Sequence, residues 1–335
     1  MPRLTSTGPT LQQVAEAAGV SLATASRVLH GSGGRRVAAP LAERVTNAAA
    51  RLRYVAHAPA QSLARSRSTV VGLLVHDIAD PYFSAIAAGA MRVARDHDLM
   101  VLVANTFRDP GLEADYLSRL RAQRARAVLL AGSAFTGDSM SSMTEELAAF
   151  AQSGGRVVAI GGHGNNFDTV SVDNFGGGRQ AAAHLASLGH HEVGVVTGPS
   201  ALASVQARVS GFRTVLEPRA VVEGDFTREG GRLSTLELLN RADVTAIFAL
   251  NDLMAVGALA ALRELGREEV SVVGFDDLPV AVDVTPALTT VRLDLMAIGA
   301  NAMELVLDDE HEPGRTVAAP ASLVVRGSTR EVPKN

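Results

Sequence analysis

The 335 residues include 47% hydrophobic side chains, enough for more than one core, and carry a formal net charge of −4. The absence of cysteine excludes a disulfide framework, thiol chemistry and Cys-based metal sites. No apolar run approaches the ~18 residues of a membrane span and the start, Met-Pro-Arg-Leu, has no apolar signal core, so a cytoplasmic chain with no membrane partner is expected.

Charge is unevenly placed. Residues 1–68 hold nine Arg against two Glu, a net of +7, which leaves −11 on residues 69–335. A basic head on an acidic body suggests that only the head meets a polyanion. The head's first 30 residues contain two short amphipathic helices. Leu11, Val14, Ala15 and Ala18 share one face at i, i+3, i+4 and i+7. Thr10 is placed to cap that helix in a capping box with Gln13, and Gly19 to end it. Ser21 suits the N-cap of the second helix, which buries Ala25, Val28 and Leu29 and leaves Leu22, Ala23, Ser26 and Arg27 outside. This is the pattern of a helix-turn-helix whose second helix fits a major groove.

A third helix is predicted from about Pro40 to Leu52, with Leu41, Val45, Ala48 and Leu52 inward. The basic loop Gly31–Arg36 precedes it, and a short helix from Pro59 to Arg65 is expected to fold only when something organises it. From Thr69 strands and helices alternate. The apolar runs 70–75, 100–104, 127–131 and 157–160 form one series, and 193–197, 246–250 and 270–275 a second. Near-continuous apolar strands imply parallel sheets covered on both faces, and two series imply two doubly wound lobes with a cleft beyond their strand ends.

The chain resembles the lactose-repressor/galactose-repressor (LacI/GalR) family of bacterial transcription regulators. The residues that carry this are Val14-Ala15, Ala18-Gly19-Val20-Ser21 and Ala23–Leu29 in the head, and Gln61-Ser62-Leu63-Ala64 in the hinge. In the body they are Val172-Asp173-Asn174, Ser187–His190, Asn251-Asp252, Gly274–Asp277 and Leu288–Val291. The resemblance implies an all-α helix-turn-helix head on an α/β two-lobed, periplasmic-binding-protein-like body of two doubly wound parallel sheets. Expected boundaries are 1–55 for the head, 56–68 for the hinge and 69–335 for the effector-binding and dimerisation domain. Its N-terminal lobe would take about 69–172 and 293–324, its C-terminal lobe about 173–292 and 325–335.

The resemblance also implies a homodimer on a pseudo-palindromic operator in double-stranded DNA. Thr10, Ser21, Leu22, Ala23, Thr24, Ser26 and Arg27 are the expected DNA-facing residues, with Leu63 as a minor-groove wedge. Leu22 and Ala23 can offer only apolar contacts, so hydrogen-bonded base readout falls to Arg27 and Ser26, unless Arg27 holds a phosphate. Three departures stand out: a loop about two residues longer before Val37, Ala38 and Leu41 where Ser and Thr are common, and Ala56-His57 in place of Pro-Asn. Arg35 and Arg36 are expected to compensate with charge, which steepens the salt dependence.

For the body the resemblance points to a metabolite pocket, with a sugar the first expectation and a nucleoside or purine co-repressor the alternative. The expected contacts are Tyr82, Phe83, His163, Arg208, Phe226, Asn251, Asp276 and Leu293. For Arg208, Asn251 and Asp276 the alternative is a structural salt bridge or helix cap, and Asn251-Asp252 also fits an N-terminal cap pair. The absence of leucine heptads in residues 326–335 favours a dimer over a coiled-coil tetramer.

An enzyme is the main rival reading. Gly161–Gly164 lacks the third glycine of a dinucleotide fingerprint, because Phe167 takes its place, and Gly176–Arg179 lacks the GK[ST] context. His190-His191 lacks metal-ligand spacing, and neighbours such as Asp276-Asp277 at a strand end point apart. No catalytic residue, cofactor or metal site is expected. A two-lobed sugar receptor without a DNA role is the other rival, and the basic head argues against it.

Overall fold

The computed structural model describes residues 9–30, 37–54, 68–132, 141–162, 167–308, 310–311 and 313–332. The predicted hinge helix with Leu63 lies outside the described residues, as do Arg35, Arg36 and His163. The chain separates into a helical unit through Val70, which also takes in Ala122–Arg126, and an α/β unit made of the remainder.

In the head, α1 (Leu11–Ala18) starts with the capping box expected of it: the Gln13 amide donates to Thr10 Oγ1 at 3.3 Å, and the Thr10 amide to Gln13 Oε1 at 2.8 Å. Such caps contribute about 1 kcal/mol. Gly19 closes the helix at φ +62°, and Arg44 donates to the carbonyls of Ala18 and Gly19. The left-handed backbone at position 19 is what requires glycine, and a side chain there would also displace the Arg44 guanidinium, 2.7 Å from the Cβ position. The next helix, α2 (Leu22–His30), is capped by Ser21, whose Oγ accepts from the Thr24 amide at 3.1 Å. In α3 (Ala39–Leu52) the N-cap residue is Ala38, and no side chain caps that end. Val14, Ala15, Ala18, Ala25, Val45 and Ala48 form the head's core. Leu41 does not join them. It is 36% exposed, because it lies in the first turn of α3, at the end of the face that Val45 and Ala48 bury.

The body begins with β1 (Val70–Val75), α4 (Pro81–Asp96), β2 (Met100–Asn105), α5 (Pro110–Ala122), β3 (Ala127–Ala131), α6 (Ser141–Gln152), β4 (Arg156–Ile160) and β5 (Asp168–Val172). It continues through α7 (Asn174–Ser187), β6 (Val193–Thr197), α8 (Ala203–Arg213), β7 (Ala220–Glu223), α9 (Arg228–Arg241) and β8 (Ala246–Ala249). Then come α10 (Asp252–Glu264), β9 (Ser271–Asp276), α11 (Val280–Asp283), β10 (Thr289–Arg292), α12 (Leu295–Leu307), β11 (Thr316–Ala319) and β12 (Ser322–Val324).

The strands make two six-stranded sheets, ordered β11-β5-β4-β3-β1-β2 and β12-β10-β9-β8-β6-β7. All seven predicted apolar runs are strands. Their central members, such as β3 and β6, are buried along their whole length, as parallel strands covered on both faces must be. Helices that cover the sheets pack against one another through close backbone approaches. A Cβ at Gly299 in α12 would lie 1.9 Å from the Ile86 carbonyl oxygen of α4, and one at Gly178 in α7 2.0 Å from the Arg208 carbonyl oxygen of α8.

The chain crosses between the sheets three times, after β5, after β10 and between β11 and β12. The third crossing falls at Pro320-Ala321 rather than after residue 324. Ser322–Val324 pairs antiparallel with β10 and so belongs to the second lobe. Two crossings are joined where the Asp173 amide donates to the Ala319 carbonyl at 3.0 Å. Gln180 of α7 adds to the tie, donating to the Ala321 carbonyl and accepting from the Leu323 amide, each at 3.0 Å.

Candidate functional site: helix face and interlobe cleft

On the head, the outer face of α2 presents Leu22, 47% exposed, together with exposed Ala23 and Arg27 and half-buried Ser26. Arg27 lies back along its own helix, its Nε donating to the Ala23 carbonyl at 3.2 Å. Thr10 is committed to its capping box, and Ser21 and Thr24 share a hydroxyl contact of 2.9 Å at the start of α2. These three therefore shape the helix ends first. Arg44, which fixes the turn, was not singled out in the sequence, where it reads as one more surface charge.

Between the two lobes lies a cavity of about 620 Å³. Its walls come from the carboxyl ends of strands in both sheets, the usual ligand position in doubly wound folds. Arg208 occupies the centre of the second lobe's wall and is 6% exposed. Its Nε donates to Asn174 Oδ1 at 2.8 Å, one terminal nitrogen to the Leu250 carbonyl, and the other to Asp276 Oδ1 at 3.3 Å. The guanidinium carbon lies 3.6 Å from the centre of the Phe275 ring. The fork is thus held from three sides and from below, which fixes its plane before any ligand arrives.

Asp276 ends β9 with φ +106°, and Asp277 follows at +56°. Such backbone is costly for residues with a side chain and is typical of functional sites. The two carboxylates part company there: Asp276 faces the cavity, while Asp277 pairs with Arg292 at 2.6 Å and Arg326 at 2.7 Å. Burial pushes the Asp276 carboxyl well above the usual carboxylate range, against the opposing pull of Arg208. Burial also raises Asp80 and, with the Asp276 charge added, the Tyr82 phenol.

Tyr82, Phe83, Phe226 and Asn251 all line the cavity. Asn251 serves twice. Its Oδ1 caps α10 by accepting from the Met254 amide at 2.8 Å, and it remains on the cavity wall. Tyr82 and Phe83 meet edge to face at 5.0 Å. Leu293 is a correction: it is 4% exposed, packs in the core and does not line the cavity. The crossing that follows β10 turns it inward, its amide donating to the Asp276 carbonyl at 3.4 Å.

Several cavity residues were missed: His76, Asp80, Arg108 and Asn174. Asn174 stands in a quoted motif, Val172-Asp173-Asn174, and directly follows a strand, which was the available signal. His76 is buried beside Glu113 at 3.4 Å and was masked by the apolar run before it. Among the described residues no group of three His, Cys, Asp or Glu could hold a metal ion, and no helix is long and apolar enough to cross a membrane.

Residues 68–326 match the family described as periplasmic binding proteins and sugar binding domain of LacI family, and residues 10–57 match bacterial regulatory proteins, lacI family. The HTH-type transcriptional regulator CelR of Thermobifida fusca is 34% identical over 341 residues, covering 96% of this chain and 98% of that protein. The lac repressor dimer bound to operator and the anti-inducer ONPF superposes with a TM-score of 0.83 at 27% identity, over 97% of this chain and 100% of that one. A CelR–cellobiose complex superposes at 0.69 with 30% identity, over 96% and 100%. With both its head and its two-lobed body matched, the chain belongs to the LacI family of DNA-binding transcriptional regulators.

Proposed function

We propose that the protein is a repressor whose operator affinity is switched by a sugar held in the interlobe cleft. The observation that carries this reading is the fixed Arg208 fork. A guanidinium has five N–H donors, of which three are engaged by Asn174, Leu250 and Asp276. The others suit paired hydroxyls, Asp276 and Asn251 add polar contacts, and the Phe226 ring offers a face to the C–H side of a pyranose. The cellobiose bound by a relative of similar structure supports the ligand class.

The operator-bound lac repressor dimer supports a homodimer on pseudo-palindromic DNA. Exposed Met91, Met100 and Leu102 on α4 and the β2 edge offer apolar surface for a partner copy. On the head, Leu22 and Ala23 are assigned to apolar base contacts, and Ser26 and Arg27 to hydrogen-bonded readout. Arg35 and Arg36 are assigned to phosphates and Leu63 to the minor groove. The cleft binds its ligand without turnover, in keeping with relatives that are regulators rather than enzymes.

The test pairs thermal shift with fluorescence anisotropy on a selected operator, using cellobiose, ribose, glucose and galactose. At least one sugar should raise the melting temperature and change operator affinity about tenfold, since binding to the folded body stabilises it and linkage is reciprocal. Arg27→Ala should weaken operator binding by roughly 1–3 kcal/mol and leave the sugar shift unchanged. If purine nucleosides produce both effects and no sugar does, the ligand class is wrong.

A further inference from the structure

Arg108 differs from the other cation of the cleft. It sits in the short loop between β2 and α5, and that loop is anchored on both sides. The Phe107 amide donates to the His76 carbonyl at 2.9 Å, the buried Thr106 hydroxyl to Glu113 at 3.1 Å, and the Gly111 amide to Asp109 at 2.8 Å. Between these anchors Phe107 and Arg108 adopt φ of +52° and +60°. Left-handed backbone is unfavourable for L-residues and persists only where the surroundings hold it. The result leaves Phe107 70% exposed and sets Arg108 in the cavity wall.

The guanidinium carbon of Arg108 lies 5.5 Å from the centre of the Phe226 ring, which belongs to the opposite lobe. Its Nε is buried with no hydrogen-bond partner among the described residues. A buried donor left unpaired is destabilising, more so when it is charged. Arg208, by contrast, has each of its three nitrogens bonded within the protein. Asp80 is the cavity acid that feels the Arg108 charge, and one of its oxygens already accepts from the Tyr82 amide at 2.9 Å. The first turn of α8, which begins behind a Leu202 with no side chain to cap it, lines the same cavity and favours negative charge.

We propose that Arg108, stacked against Phe226, is an anion subsite, and that the effector is a sugar carrying a carboxylate or phosphate group. The proposal rests on the sugar reading of the Arg208 end of the cleft. Because Arg108 and Phe226 lie on different lobes, an anion there would also draw the two walls together.

The test is calorimetric titration of the full chain with glucose, galactose, their uronates and their 6-phosphates. At least one acidic sugar should bind about tenfold more tightly than its neutral parent, the fold-change of one charged hydrogen bond. Arg108→Gln should erase that advantage, and Arg108→Lys should keep part of it. Uronate and phosphate arms show which anion is read. Equal binding of acidic and neutral sugars, or an advantage that survives in Arg108→Gln, overturns the subsite and leaves the sugar reading standing. No binding by any of these sugars, with the thermal transition intact, counts against both.

Discussion

The two lobes of the body repeat one topology and differ in what they place at the cleft. Each has a six-stranded sheet whose strand order reverses at the same point. The second lobe contributes a wired ionic wall, in which Arg208, Asn174 and Asp276 hold one another in place. The first contributes aromatic rings, His76 and an Arg108 that lacks a partner at Nε. A shared fold therefore dictates where the site is, and the residues at the strand ends dictate what it does. One wall is organised before the ligand comes. The other has bonds still to make.

The comparison breaks most severely if the lobes are not separately built. Gly299→Ala and Gly178→Ala each place a Cβ against a neighbouring helix backbone, in the first and second lobe respectively. Each should cost about 3 kcal/mol in denaturant unfolding, the upper range for overpacking. Two resolved transitions, each moved by its own variant, would support independent lobes, whereas one shared transition moved equally by both would merge them.

A second effect concerns protons. Asp252, buried in the second lobe, accepts from the Thr290 hydroxyl and the Leu278 amide, and burial pushes it up to about 7. A carboxyl raised in the folded state stabilises it below the unfolded pKa and loses that contribution as pH rises to the folded one. Stability should thus fall between about pH 4 and pH 7, by up to roughly 1.4 kcal/mol per unit from one site. Asp252→Asn can keep both contacts, since its oxygen accepts from Leu278 and its amide can donate to Thr290. That variant should flatten the slope of melting temperature against pH. The slope that persists belongs to Asp80 and Asp276, raised by the same cause. An unchanged slope would remove Asp252 from the account.

The ionic wall is tested by Arg208→Lys, which keeps charge but loses the fork. Effector affinity should drop by about 2 kcal/mol, roughly thirtyfold, in calorimetry. The smallest expected effect is at Phe226→Leu, which removes the ring that faces both ligand and Arg108. A loss of about 0.5–1 kcal/mol in affinity is expected. A larger loss there than at Arg208 would invert the roles of the two walls.

Much of this plan was legible in the sequence, for definite reasons. The head declared itself through helical periodicity and two caps, Thr10 and Ser21. The seven near-continuous apolar strands announced parallel sheets. The strands β5, β7, β10, β11 and β12 did not, being interrupted by polar residues or too short to stand out. The resemblance pointed to Asn251 and Asp276 at strand ends, to Phe226 after a short extended stretch and to Arg208 as a ligand donor, and all four line the cavity. Leu293 was misplaced, since a crossing segment can turn a side chain to either side and only the Asp276 contact decides which. Arg108 left no trace at all. Its direction comes from two left-handed residues held by bonds to His76 and Glu113, and no local pattern encodes that.

Three strands of chain join the lobes, two of them hydrogen-bonded together at Asp173 and Ala319. A single tether would leave one lobe free to swivel; three tethers, two of them bonded together, restrict sliding and favour a hinge. The cleft then works like a caliper, reporting a width rather than a chemical identity. Two sugars that hold the jaws equally far apart would send the same message to the DNA, however differently they touch Arg208.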